Sequence, residues 1–174
     1  MLDSVDGVAT IRSPRPAFLA AFAKRIEAGL LGARPFRNRY AITERKADGL
    51  RFRSADWPTA LNVGLNDVDL SVTDDGRVRY VIQYRRWSLY VLALSAVIGI
   101  ALVVALLLLD VPSYIAQHPE SKFSSLSIGQ NVAIAWALVL FWGFAWPWIL
   151  IAIHRRPVRR LMDRLVADVD GAVA

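Results

Sequence analysis

Two stretches decide the fold. They are Trp87–Leu109, WSLYVLALSAVIGIALVVALLLL, and Val132–Ile153, VAIAWALVLFWGFAWPWILIAI, and neither contains Asp, Glu, Lys or Arg. A run of about 20 apolar residues rising roughly 1.5 Å each matches a hydrocarbon core about 30 Å thick. A soluble helix of that length would carry a polar stripe, and neither run has one. The sequence therefore predicts an α+β membrane protein. A small domain (1–86) precedes a transmembrane hairpin of two helices (87–109 and 132–153) joined by a connector (110–131), and an amphipathic tail (154–174) follows. This pattern excludes a freely soluble enzyme. The chain also has no cysteine, which excludes disulfides, thiolate metal sites and thiol nucleophiles.

Charge orients the hairpin. Residues 1–86 carry 15 Lys and Arg against 10 Asp and Glu, and the tail from His154 carries five Arg against three Asp. The connector has Lys122 against Asp110 and Glu120. Arg85 and Arg86 stand before the first span, and Arg155, Arg156, Arg159 and Arg160 after the second. Basic residues close to a span favour the cytoplasmic side, so both termini are expected in the cytoplasm of a bacterial-type inner membrane. The start, Met1–Asp6, is acidic and lacks the apolar core of a signal peptide. The first span is then expected to act as the insertion signal. A pI near 10.2 could suggest nucleic acid, but arginines clustered at bilayer boundaries fit anionic lipid headgroups better.

The segment 1–86 reads as one helix on a mainly antiparallel sheet. Val8–Ile11 is a strand candidate, and Ser13-Pro14 offers an N-cap with Pro at the first helical position. Phe18, Leu19, Phe22, Ile26 and Leu30 make one helical stripe, with Gly32 as the expected stop. The period then falls to two: Tyr40 and Ile42, a turn at Asp48-Gly49, Leu50 and Phe52, then Val68, Leu70 and Val72. A turn at Asp74-Asp75-Gly76 leads to Val78, Tyr80, Ile82 and Tyr84. After Pro157, Val158, Leu161, Met162, Leu165 and Val169 form a stripe suited to the membrane surface or to the domain.

In the first span, Ser95 and Gly99, like Ala101 and Ala105, are small residues four apart, a spacing that permits close helix contact. Ser127 and Gln130 resemble a capping box. The second span is loaded with Trp136, Phe141, Trp142, Phe144, Trp146 and Trp148. At about 100° per residue, Trp142 and Trp146 share one face, and Phe141, Phe144 and Trp148 another. Pro147 should bend the helix.

Chemistry is sparse. His118 and His154 sit at opposite ends of a span and cannot share a ligand, and His118 with Glu120 reads as a solvated loop. No Gly-x-Ser-x-Gly elbow or phosphate-binding glycine loop occurs. Asn62–Asp69 collects oxygen ligands without EF-hand spacing. Asp56-Trp57-Pro58-Thr59 is either a docking corner or a Trp plugging the sheet. Spans without ionisable groups make a poor carrier or pore. The expected function is a noncatalytic accessory subunit of a larger inner-membrane complex, energy-transducing assemblies being the model by analogy. No cofactor is expected, and the partners would be integral membrane subunits and anionic lipids rather than nucleic acid. The alternative is a membrane-anchored adaptor whose domain binds a soluble partner or lipid headgroups.

Overall fold

The computed structural model describes residues 4–30, 39–118 and 126–174. They form two compact units, one of Met1–Leu89 with Ala152–Ala174 and one of Tyr90–Ile151. The first is built on a five-stranded antiparallel sheet in the order β1-β5-β4-β3-β2, with β1 Ser4–Thr10, β2 Tyr40–Lys46, β3 Gly49–Ser54, β4 Asp67–Val72 and β5 Arg77–Gln83. Strand periodicity puts Val5, Leu50, Phe52, Val68, Leu70, Val72, Val78, Tyr80 and Ile82 on one buried face. Asp6, Val8, Arg51, Arg53, Asp69, Arg79 and Val81 lie on the other, which stays open.

Helix α1, Arg15–Glu27, lays Phe18, Leu19, Phe22 and Ile26 on the β2–β3 end of the buried face, with the Phe22 and Phe52 rings 6.2 Å apart. Its start differs from expectation. Pro14 occupies the N-cap position without a side-chain cap, because the Ser13 hydroxyl is drawn away to Asp170, donating at 2.6 Å. The helix also stops earlier, with Gly29 in the left-handed region at φ 90; Gly32 lies outside the described residues. The first hairpin turns at Ala47-Asp48, one residue before the expected Asp48-Gly49. Gly49 is a strand residue paired with Lys46, and a Cβ there would lie 2.3 Å from the Leu70 carbonyl oxygen. Here glycine serves close backbone approach, not turn geometry.

Helix α2, Trp57–Val63, was not anticipated. The Asp56 carboxylate accepts the Thr59 amide at 2.9 Å, Pro58 falls in the first turn, and Gly64 closes the helix at φ 76. The same device recurs in the second unit, where the Asp110 carboxylate accepts the Ser113 amide and Pro112 opens α4, Val111–Gln117. Asp-x-Pro followed by Ser or Thr is thus an N-terminal signature used twice in this chain.

Helix α3, Arg85–Leu108, follows β5 after Tyr84 alone. The other long helix runs from Ile128 to Val173 as α5 (Ile128–Leu140), a π-helical turn (Phe141–Ala145) and α6 (Trp146–Val173). Both are long and apolar enough to cross a membrane. Ser127 and Gln130 form the expected capping box. Pro157 does not begin a separate tail helix: α6 passes through it unbroken.

Within the first unit, the end of α6 buries Val158, Met162, Leu165, Val166 and Val169. The Tyr80 hydroxyl on β5 donates to the Asp163 carboxylate. Asp170 accepts the Ser13 hydroxyl and the amides of Arg12 and Ser13 at 2.6–3.1 Å. Of the two docking surfaces open to the amphipathic stripe, these contacts place it on the domain.

Candidate membrane-facing and partner-facing surfaces

Gly99 and Gly143 set the closest approach inside the second unit. A Cβ on Gly143 would stand 2.6 Å from Gly99 Cα, and one on Gly99 would stand 2.9 Å from Gly143 Cα. No side chain fits between backbones at that separation. Along α3 the less exposed positions Leu92, Ser95, Ala96, Gly99, Val103 and Leu106 share a face, so Ser95 and Gly99 lie on it together. Ala101 and Ala105 are exposed.

The π-helical turn surrounds Gly143. The Trp146 amide donates to the Phe141 carbonyl, five residues back. Pro147, immediately after, has no amide to give and in a regular helix would press its ring on the carbonyl of Gly143. A wider turn accommodates both. The π turn lies just before Pro147, where a bend was expected.

That swelling rearranges the aromatics. In a regular helix Phe141 and Trp146 would be roughly 140° apart, but a five-residue repeat stacks them on one side. The Phe141, Trp142 and Trp146 rings form a mutual cluster with centroids 4.9–6.2 Å apart. Phe144 parts from Phe141 and turns to the crossing, within 3.1 Å of a Cβ built on Gly99. Phe141, Trp142, Phe144 and Trp148 all remain exposed, Trp142 by 51%. The spacing rule grouped Phe141 with Phe144; only the π turn explains their separation. At the far end of this unit, an apolar cavity of about 330 Å³ opens among Leu106, Leu109, Ile115, Ile134 and Leu138.

All six boundary arginines fall in the first unit. Arg85, Arg156, Arg159 and Arg160 are exposed, while Arg86 and Arg155 are partly covered. Among the described residues none of the six forms an ion pair. The two segments that carry them are joined by an aromatic junction that sequence reasoning missed. His154 stacks on Trp87 with ring centroids 3.8 Å apart and meets Tyr84 edge-on at 5.6 Å. The Trp87 amide, an unpaired donor of the first turn of α3, is satisfied by the Asn66 side chain at 3.0 Å. Asn66 donates in turn to the Ala60 carbonyl. Burial holds the His154 imidazole below the usual histidine range, as expected where a charged ring would lose water. Because Arg86 adjoins Trp87 and Arg155 adjoins His154, this stack ties together the two segments that carry the arginines.

Elsewhere Trp57 stands 58% exposed at the start of α2, a corner rather than a plug. A shallow groove of about 380 Å³ runs over the open sheet face past Arg51, Asp69, Arg79 and Val81. Among the described residues no group of three or more His, Asp or Glu could hold a metal ion. His118 lies over Tyr114 at 4.4 Å, and Glu120 falls outside the described residues. In comparisons with known proteins the chain matches no family model, no curated protein and no solved structure.

Proposed function

We propose that this chain is a noncatalytic accessory subunit of a larger inner-membrane complex, bound through its second apolar helix. One observation carries this reading: Gly99 and Gly143 make the hairpin's closest contact, while Phe141 and Trp142 cluster with the half-buried Trp146 and stay exposed. Aromatic residues supply much of the energy at protein contacts, and Phe141 and Trp142 lie too deep to serve an interfacial belt. Arg85, Arg86, Arg155, Arg156, Arg159 and Arg160 contact anionic headgroups on the cytoplasmic side, the sheet domain lying in the cytoplasm. Removing a buried large aromatic costs about 3–5 kcal/mol in a core. Phe141→Ala combined with Trp142→Ala should therefore leave membrane insertion intact and strip the chain from its complex in gentle detergent. Normal co-purification of the double variant would refute the assignment. A second reading, an adaptor acting through its cytoplasmic domain, is supported by the open sheet face, where Val8 and Val81 are uncovered. It predicts retention of soluble rather than integral membrane proteins.

A further inference from the structure

The sheet has two edges, and only one is defended. β2 carries a bulge between Ile42 and Glu44 and ends in Glu44, Arg45 and Lys46. Bulges and charges are the usual means of preventing edge-to-edge pairing. β1 has no bulge, Lys, Arg or Pro, and pairs with β5 in unbroken register from Ser4↔Gln83 to Thr10↔Arg77. Just beyond it, the Ile11 amide donates to the Gly76 carbonyl at 2.9 Å. Antiparallel ladders alternate, so Ala9, Gly7 and Val5 are the residues bonded to β5. The N–H and C=O groups of Asp6, Val8 and Thr10 must then point away from the sheet, and no described residue pairs with them. The side chains of these three residues are exposed on the open face.

We propose that a second copy of this chain pairs with β1 about a two-fold axis through Val8, joining two sheets into one. The strand's own sequence selects this occupant. An antiparallel copy centred on Val8 sets Val8 against Val8, and Asp6 against Thr10 on either side. An apolar pair is thus flanked by two carboxylate–hydroxyl pairs. On the covered face Gly7 meets Ala9, small against small, so the Tyr80 ring that occupies the space over Gly7 is not displaced. Centring on Asp6 would oppose two carboxylates, which is destabilising. The contact is separate from the aromatic surface of the hairpin, and either can fail without the other.

The absence of cysteine makes the test direct. Opposed Cα atoms in a hydrogen-bonded antiparallel pair lie about 5.5 Å apart, within the roughly 4.4–6.8 Å that a disulfide spans. In membranes containing the full chain, mild oxidation should convert Val8→Cys into a covalent homodimer. The Asp6→Cys, Thr10→Cys double variant should do the same. Asp6→Cys alone, whose copies would stand more than about 13 Å apart, and Ser71→Cys should stay monomeric. Val8→Lys opposes two ammonium groups at an exposed site and should leave a folded monomer on sedimentation in detergent. The proposal is overturned if Asp6→Cys cross-links as well as Val8→Cys, if Val8→Cys gives no dimer, or if its disulfide joins a different protein.

Discussion

Gly99 and Gly143 meet backbone to backbone where the two helices of the hairpin come closest. Adding one methyl at either forces backbones apart that are already in contact. Overpacking of this kind costs typically about 1–3 kcal/mol. Gly143→Ala should lower the thermal unfolding midpoint in detergent, whereas Gly171→Ala, with nothing within 4 Å of its added Cβ, should leave it unchanged or slightly raised. Equal responses would remove the crossing from the account. Gly99 was legible beforehand from its spacing with Ser95; Gly143 was hidden, since a lone glycine among aromatics marks no face until the partner helix is placed. Single carboxylates tell the same story. Burial works to raise the Asp170 carboxyl, but hydrogen bonds from Ser13 and Arg12 prevail and hold it below the ordinary value of 3.8. Its folded pKa is depressed, so its contribution is complete above pH 3.8 and is lost as the pH falls through the lower folded value. Stability against urea should therefore show an Asp170-dependent loss only in strong acid, absent in Asp170→Asn. A loss already present between pH 5 and 7 would have another source.

At the level of elements, the end of α6 behaves as part of the sheet domain. Met162 is fully buried and Leu165 nearly so. Replacing either with Asp forfeits about 1.5–3 kcal/mol of apolar burial and adds the cost of an unpaired charge. Met162→Asp should make both the tail and β1 sensitive to protease in detergent, because Tyr80 and Ser13 lose their partners together. Cleavage confined to the tail would mean the sheet stands without it. The stripe itself could be read from the sequence, but its docking site could not. An amphipathic pattern states which face is apolar and not what covers it, and the contacts that decide lie 83 and 157 residues apart. β2 to β5 were legible because alternation is local, whereas β1, expected at Val8–Ile11, runs from Ser4 to Thr10. Helices α2 and α4 were legible in principle, since Asp56-x-Pro58-Thr59 and Asp110-x-Pro112-Ser113 are capping patterns. Their brevity left no periodic stripe to draw attention. The π turn needed knowledge of Gly143 opposite Gly99, which no single-chain pattern carries.

For the whole molecule, the arginines at the ends of the hairpin predict the side on which each unit faces. Single cysteines at Ser71 and Ser124 should label oppositely with an impermeant maleimide on intact cells, Ser124→Cys accessible and Ser71→Cys protected. The reverse would overturn the orientation. That test bears on how the protein is made. The first unit is composed of Met1–Leu89 and Ala152–Ala174, with the apolar hairpin interposed in the chain. During synthesis the sheet emerges first, yet the residues that cover Tyr80 and bind Ser13 leave the ribosome only after both spans. If the hairpin inserts as proposed, the domain would stay unfinished meanwhile, with its β1–β5 surface bare. A chain whose spans stall outside the bilayer would be poorly placed to bring its last helix home, and would offer that surface to chaperones and proteases. On the proposed topology, the sheet domain would thus be completed only after the hairpin has entered the bilayer.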